Sequence, residues 1–296
     1  MSDAAARAAA VPAATPLVFV LIWSTGFIVA RYGMPHAGPF SFLALRFALS
    51  ALAFGAWVAL VRAPWPRGRE QWRHLAMTGL LMHAGYLGGV WAAVKHGLGA
   101  GPVALIVGLQ PVLTALWISA SGSQHRVSLQ QWAGLALGLG GLVLVVWQKL
   151  QNGQLCVANL ALALFALASI TAGTLYQKRW VAACDVRTAN SVQLLAALAV
   201  TLPLALLEPE HFEWHAHFVG AMAWSVLGLT LGGSSLLYML IQRGAATAVT
   251  SLMYLVPPCT ALMAWWLFGE TFTTFGLAGL VLTVAGVALV MRDRGV

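Results

Sequence analysis

Charged residues are scarce in this sequence. They make up 8% of its 296 residues, whereas 60% are hydrophobic and the mean hydropathy is +0.82. A soluble domain normally carries about 25% charged residues, and a water-soluble fold of this length has too little interior to bury so much apolar surface. The composition therefore excludes an ordinary soluble protein and indicates that lipid surrounds much of the chain.

Long polar connections are missing as well. Apolar runs of the roughly 20 residues that a spanning helix needs are separated by short breaks, which leave no room for a soluble catalytic or nucleotide-binding domain. Because the runs are apolar all round, they favour helices over the alternating strands of a membrane barrel. We predict an all-α polytopic membrane protein with ten transmembrane helices, at about residues 16–34, 40–61, 73–94, 101–119, 129–148, 157–178, 188–207, 216–239, 247–268 and 274–291.

Motifs of catalysis and cofactor binding are absent from the sequence. There is no G-x-x-x-x-G-K-[ST] loop, which argues against ATP-driven pumping by this chain alone, and no G-x-S-x-G or H-E-x-x-H pattern. Cys156, Cys184 and Cys259 form no C-x-x-C pair and are interpreted as small apolar side chains. We expect no enzyme, no cofactor and no metal ion.

The basic residues indicate an orientation in the membrane. If the N-terminus is inside, twelve of the sixteen Lys and Arg residues fall on inside segments, and Arg46 lies within the second span. The outside segments hold Arg31, Lys95 and Lys149, together with Glu208, Glu210, Glu213 and Glu270. This positive-inside pattern predicts an inner-membrane protein with both termini in the cytoplasm. It explains the net charge of +8 without a nucleic-acid partner.

A weak internal repeat relates the two halves of the chain. Residues 83–119 align with residues 230–266, with Gly85 on Gly232, Trp91 on Tyr238 and Pro111 on Pro258. We predict a tail at 1–15, five-helix repeats at 16–150 and 151–292, and a tail at 293–296. Because five is an odd number, the two repeats insert with opposite orientation, an architecture typical of transporters with a central site between the halves.

Two stretches carry a resemblance to a known family. GLGAGPVALIVGLQPVLTALW (97–117) and GAATAVTSLMYLVPPCTALMAWWLFGET (244–271) resemble the fourth and ninth helices of the drug/metabolite transporter superfamily, EamA type. The Gly-Glu that closes the ninth helix in that family is matched by 269–270, whereas residues 121–124 depart from it. The resemblance implies ten helices, inverted halves, a central cavity and metabolite transport. Within the superfamily, His83 and the deep aromatic residues are most similar to YddG-type aromatic amino acid exporters.

Prolines interrupt the fourth and ninth predicted helices at equivalent positions. Each of Pro111, Pro257 and Pro258 removes a helix hydrogen bond, and matched interruptions in two halves point to a transport site. We interpret them as gating hinges, with a packing kink as the alternative. Gln110, beside Pro111, offers both a donor and an acceptor to a zwitterionic ligand.

Ionisable groups inside the spans are few. Arg46 either reaches back to the headgroups or holds a carboxylate or a helix carbonyl. His83 binds a substrate carboxylate, changes protonation, or is a hydrogen-bonded structural residue. No Asp or Glu occupies the middle of any predicted span, which counts against proton coupling through a buried carboxylate. It favours gradient-driven flux, or His83 as the proton site.

Aromatic and polar side chains complete the predicted cavity. The candidates are Trp23, Tyr86, Trp91, Tyr238, Tyr254 and, in the polar eighth span, Ser234. Tyr86 follows His83 by three residues, so both face one side of their helix. Stacking faces with a few polar groups suit an aromatic or amphipathic ligand, and helix packing is the alternative for each aromatic residue.

The sequence as a whole predicts an alternating-access transporter of small amphipathic metabolites, with helices 3, 4, 8 and 9 around the site. Export of amino acids, with a preference for aromatic ones, is the favoured function, and export of cationic drugs is the alternative because aromatic walls also accept flat cations. Nucleotide sugars fit poorly, since Arg46 is the one basic residue deep in a span. The sequence leaves open whether the protein is a monomer or a homodimer.

Overall fold

The computed structural model describes residues 14–120, 128–151, 156–210, 212–236, 253–271 and 273–292. These ranges are helical and contain no strand. The predicted cavity residue Tyr238 lies outside the described residues. The predicted tail at 293–296 also lies outside them, as does the tail at 1–15 except for residues 14 and 15. Over the described residues, each predicted span coincides with helix.

The first half contains helices α1 (Ala14–Gly33), α2 (Pro39–Val61), α3 (Arg69–Gly79), α4 (Tyr86–Lys95), α5 (Ala100–Val107), α6 (Gln110–Ala120) and α7 (Leu129–Gln151). A π-helical segment, Leu80–Gly85, joins α3 to α4 without a break. Helix α2 begins with a proline, which suits a first position because the missing N–H would have no partner there.

The second half contains helices α8 (Val157–Trp180), α9 (Val186–Leu207), α10 (Ala216–Ala223), α11 (Val256–Phe268) and α12 (Thr274–Arg292). A second π-helical segment, Trp224–Gly233, continues α10, and a 3₁₀ turn, Met253–Leu255, precedes α11. Asp185 begins α9 by accepting a 2.9 Å hydrogen bond from the Arg187 backbone N–H.

Length and hydropathy single out four described helical stretches that are long and apolar enough to cross a membrane: Pro39–Val61, Val157–Trp180, Val186–Leu207 and Ala216–Leu236. Shorter apolar helices cover Leu17–Gly33, Ala100–Thr114, Trp132–Val145, Val256–Phe268 and Thr274–Leu289. Large apolar side chains such as Leu52 are exposed on their outer faces, where lipid would cover them. The count of ten spans and the orientation of the termini remain predictions.

Equivalent helices of the two halves pack against each other. Helix α2 packs on α9, α7 on α12, and α5 on α11, which are the predicted span pairs 2–7, 5–10 and 4–9. The contact of α4 with α8 has its counterpart in the contact of the second π-helical segment with α1. This pairing is the pattern of two structural repeats related by an approximate two-fold axis, and it places the interior of the protein between them.

Candidate functional site

Two adjoining cavities lie between the halves. The first cavity has a volume of about 110 Å³ and is bounded by α1, α2, α4, α8, α9 and both π-helical segments. The second cavity has a volume of about 230 Å³ and is bounded by α1, α4–α6, α8, α11 and α12. They share Trp23, Phe27, Met82, Tyr86 and Ile170. Together they reach the lower end of the roughly 300–1,000 Å³ that small-molecule pockets occupy.

The structure brings most of the predicted site residues together. The first cavity is lined by Trp23, Arg46, His83, Tyr86, Trp91 and Ser234. Gln110, Pro111 and Pro257 line the second, whereas Pro258 lines neither. Tyr254 lies in the turn before α11, and its side chain is outside the described part of the structure.

Helices other than the predicted 3, 4, 8 and 9 also build the site. Phe27 comes from α1, Arg46 and Phe47 from α2, and Leu194 from α9. The apolar residues among them were missed because an apolar side chain in a membrane helix has the same sequence signature whether it faces lipid or a cavity. Thr230 was missed for a different reason, namely that its polar neighbours in the eighth span gave several equal candidates.

The guanidinium of Arg46 is buried beside the first cavity. The residue is 6% exposed, and its Nη2 donates a 3.2 Å hydrogen bond to Thr230 Oγ1. Its Cζ lies 5.4 Å from the centroid of the Trp91 ring, a cation–π arrangement. The Nε and Nη1 groups are buried and have no hydrogen-bond partner among the described residues. The side chain therefore does not reach back to the headgroups but is held inside the protein, where it lines the first cavity.

The indole of Trp91 adds another free donor. Trp91, in helix α4, is 1% exposed, and within the described part of the chain its Nε1 also has no hydrogen-bond partner. A buried donor without an acceptor is destabilising by about 1–3 kcal/mol, so such groups in a native fold call for an explanation. Arg46 and Trp91 thus bring together, beside the first cavity, three buried nitrogens that have no acceptor among the described residues. An anionic oxygen ligand would supply such an acceptor.

His83 and Tyr86 stand at the end of the first π-helical segment. Both line the first cavity, which agrees with the prediction that they share a face. The His83 ring packs edge-on against Phe47, with centroids 5.9 Å apart, and lies within hydrogen-bonding reach of the Gln193 side chain. Tyr86 is buried and also lines the second cavity. These contacts give His83 a polar partner inside the protein while its ring edges the cavity.

The two π-helical segments occupy equivalent places in the halves. Gly85 closes the first segment, and Gly232, its partner in the repeat alignment, lies near the end of the second. Within the second, Thr230 Oγ1 donates to the Ser225 carbonyl, five residues earlier, at 2.8 Å. Single π turns inside α-helices are frequent at functional sites. Sequence reasoning missed them, and the paired glycines are the only signal that pointed there.

The predicted interruption of the fourth span is present in the structure. Helix α5 ends at Val107 and α6 begins at Gln110, immediately before Pro111. Gln110 Nε2 donates a 2.9 Å hydrogen bond to Thr174 Oγ1 of α8. Gly108 lies so close to the Pro257 ring that an added Cβ would be 2.6 Å from it. The break in the fourth predicted span and the start of α11 therefore meet at the second cavity.

Carboxylates from the second half cap two helices of the first. Glu208 accepts hydrogen bonds from the Phe40 and Ser41 backbone N–H groups, at 2.9 and 2.8 Å, at the start of α2. Glu270 accepts from the backbone N–H groups of residues 100 and 101, at 2.9 and 3.4 Å, at the start of α5. The sequence indicated only that these glutamates mark the outside face, because their partners are far away along the chain.

Further polar contacts join the same end of the molecule. Lys95 Nζ pairs with Glu210 and donates to the Met34 carbonyl at 2.9 Å, and His36 Nδ1 lies 3.3 Å from Glu213 Oε2. Both pairs link the first half to the connection between α9 and α10. Polar contacts therefore link the two halves at the predicted outside end of the protein.

One group of described side chains has the composition of a metal site. The ligand atoms of His36, His215 and His217 all lie within 4.8 Å of one another. Zinc bonds to histidine nitrogens at about 2.0–2.1 Å, so the three rings would have to move closer to bind a single ion. The group lies at helix ends, away from both cavities.

Comparisons with known proteins agree with this architecture. The EamA-like transporter family matches the chain twice, over residues 13–147 and 158–292. A probable amino-acid metabolite efflux pump of Salmonella typhimurium is 27% identical over 281 residues, which cover 91% of each chain. A probable amino-acid metabolite efflux pump of Escherichia coli is 23% identical over 285 residues, 94% of this chain and 86% of that one.

Two further similarities extend the comparison. The uncharacterized inner membrane transporter YedA of Escherichia coli is 26% identical over 280 residues, 93% of this chain and 88% of its own. A solved structure described as "Crystal structure of protein" superposes with a TM-score of 0.66 at 20% identity, covering 95% of this chain and 98% of that one. At that identity the structural likeness establishes the fold alone.

Proposed function

Because the chain belongs to the EamA-like transporter family of the drug/metabolite transporter superfamily, we propose that this multi-pass inner-membrane transporter exports amino acids and prefers aromatic ones. The relatives named as amino-acid metabolite efflux pumps support the amino acid class. The aromatic preference is supported by the cavity itself.

The observation that carries the proposal is a buried guanidinium that lines an aromatic cavity and has two nitrogens without a partner among the described residues. An α-carboxylate placed against Arg46 would accept charge-assisted hydrogen bonds from Nε and Nη1, for which the described residues provide no acceptor. An aromatic side chain would then lie among Trp23, Phe47 and Tyr86, which line the same cavity. Aromatic pairs add about 0.5–1.5 kcal/mol beyond the burial of their area, which favours phenylalanine and tryptophan over small amino acids.

Transport would proceed by alternating access between the two halves. Pro111 and Pro257, at the meeting point of the interrupted helices, and Pro258 beside them would act as hinges. The carboxylate caps of Glu208 and Glu270 would close the predicted outside end and would separate when it opens.

Export of cationic drugs, the alternative from the sequence, finds less support. The aromatic walls would accept a flat cation, but the permanently charged Arg46 lines the first cavity and would repel it. We therefore keep amino acids as the proposed substrates and make a cationic drug an arm of the test.

The test is flux of labelled tryptophan, phenylalanine and glycine across proteoliposomes, with and without a pH gradient. We expect the two aromatic amino acids to move faster than glycine, and Tyr86→Ala to reduce their flux about tenfold, the effect of losing about 1.4 kcal/mol of binding. His83→Ala should lower the flux and remove any dependence on the gradient.

Leu52→Ala is the matched control, because Leu52 is 71% exposed on the outer face of α2. Folding of every variant is checked by size-exclusion chromatography. Flux no higher than in protein-free liposomes, with uptake of a cationic dye instead, would overturn the proposal in favour of drug export.

A further inference from the structure

The acidic residues that the structure describes all lie away from the two cavities. The chain has eight, of which Asp3 and Asp293 fall outside the described residues. The other six are Glu70, Asp185, Glu208, Glu210, Glu213 and Glu270, at helix ends or in connections. None of them lines either cavity. The site therefore contains a permanent positive charge and no described carboxylate to balance it.

The acidic residues near the helix ends are already engaged. Glu208 and Glu270 cap helices α2 and α5, Glu210 pairs with Lys95, and Asp185 pairs with Arg187. A buried cation without a counter-ion is unfavourable in a fold. A ligand carboxylate would supply both the missing charge and two acceptor oxygens for Nε and Nη1 of Arg46, which have no acceptor in the described part of the chain.

The described lining of the first cavity offers no negatively charged partner to the amino group of an amino acid. The polar groups that line the first cavity beside Arg46 are neutral, for example Tyr86, Thr230 and Ser234. An ammonium group is attached to the same carbon as the carboxylate, so it must sit close to the guanidinium, and like charges at short range repel. The site thus recognises one end of an amino acid and is unfavourable for the other.

We infer that the carboxylate, and not the amino group, is the recognised feature, so that aromatic monocarboxylates without an α-amino group are substrates of this transporter. The class includes 3-phenylpropionate and indole-3-propionate. This inference rests on the proposed function in that it uses the same cavity and the same aromatic walls. It extends that function from amino acids to aryl-alkyl acids.

The charge of such a substrate also supplies a driving force. A monoanion leaving a cell whose interior is negative moves down the electrical gradient, and 100 mV shifts its equilibrium ratio roughly 50-fold toward the outside. A zwitterionic amino acid gains nothing from the potential. Export of the acids therefore needs no buried proton-carrying carboxylate, which agrees with the absence of Asp and Glu from the predicted span centres.

Binding of three ligands that share one ring tests the inference. Isothermal titration calorimetry on the full chain in nanodiscs compares 3-phenylpropionate, phenylalanine and phenethylamine, which carry the carboxylate alone, both groups, and the amine alone. We expect 3-phenylpropionate to bind at least as tightly as phenylalanine, and phenethylamine to bind at least about tenfold more weakly.

Variants at Arg46 connect this order to the guanidinium. Arg46→Gln should weaken both carboxylates by about 10–100-fold, the range for losing a hydrogen bond to a charged group, while phenethylamine is unchanged. Arg46→Lys keeps the charge and should retain part of the preference. Leu52→Ala, on the lipid-facing side of the same helix, is the control and should bind all three ligands as the unmodified protein does.

The outcomes separate this inference from the proposed function. Tight binding of phenylalanine with weak binding of 3-phenylpropionate would overturn the inference and leave amino acid export standing. Binding of 3-phenylpropionate without phenylalanine would support the inference and overturn the amino acid assignment. Equal binding of phenethylamine and 3-phenylpropionate, or an order that survives Arg46→Gln, would show that the guanidinium does not select the ligand.

Discussion

The carboxylate of Glu270 holds the start of another helix in place. The first N–H groups of a helix have no partner within it, and a negative charge there is favourable because of the helix dipole. Glu270 satisfies two of these groups in α5 from the end of α11. One side chain thus joins the fourth and ninth predicted spans at the start of α5, whereas Gly108 and Pro257 join them just after its end.

We predict that Glu270→Ala destabilises the protein by about 1–2 kcal/mol, because the start of α5 loses a charged cap. The stability of Glu270→Gln should lie between that of Glu270→Ala and that of the unmodified protein, since the glutamine amide oxygen still accepts one hydrogen bond. Thermal unfolding in detergent measures the difference. Glu213→Ala is the control, because its carboxylate is 72% exposed, and an equal loss there would show that the cap has no special role.

The role of a residue was predictable from the sequence only where its residue type is unusual for its surroundings. Arg46 and His83 stand out as ionisable groups in apolar runs, and both line the first cavity. Glu270 and Glu208 do not stand out, because glutamate at a helix end is ordinary, and their function depends on backbone groups about 170 residues away.

At the scale of elements, the contact of α7 with α12 depends on glycine. A side chain at Gly141 would overlap the Gly279 carbonyl and the backbone of Thr283, and one at Gly279 would meet the Gly141 carbonyl. The neighbouring Gly140 has nothing within 4 Å of such a side chain. Two adjacent glycines of one helix thus differ completely in what they contact, which offers a matched pair of variants.

We predict that Gly141→Ala destabilises the protein by about 1–3 kcal/mol, because the two backbones must move apart. Gly140→Ala should be neutral or stabilising by up to about 1 kcal/mol, the gain in helix propensity. Both are measured by thermal unfolding in the same detergent. A similar loss in both variants would mean that α7 and α12 do not approach as closely as described.

Helices were predictable as elements, whereas their internal irregularities were not. The length and hydropathy of an apolar run predict a helix, and Pro111 marks the break between α5 and α6. The π-helical segments at Leu80–Gly85 and Trp224–Gly233 carry no proline. The repeat-related glycines Gly85 and Gly232 are the one local feature that they share, and glycine in a membrane helix is too common to predict a π-helical segment.

The orientation of the whole molecule is tested by its own cysteines. With cytoplasmic termini, Cys156 faces the outside and Cys184 the inside. Cys156 is exposed, whereas Cys184 is half-buried, and burial raises the pKa of its thiol, which reduces the reactive thiolate. We predict that a membrane-impermeant maleimide labels the protein in right-side-out spheroplasts, and that Cys156→Ser abolishes this labelling.

The control is the same reaction after permeabilisation, which exposes both faces. Labelling of Cys156 only in permeabilised cells would reverse the predicted orientation and place the Glu208 and Glu270 caps on the cytoplasmic side.

The glycine contact between α7 and α12 also has a consequence for how the protein is made. Gly141 leaves the ribosome well over a hundred residues before Gly279, its partner, so at ~5–20 residues per second the bare face of α7 waits on the order of ten seconds. During that interval the face is open to any other helix with a small-residue surface. The time during which the nascent chain is exposed to mispairing, and to the proteases that clear such chains, is therefore set by the position of α12 in the sequence.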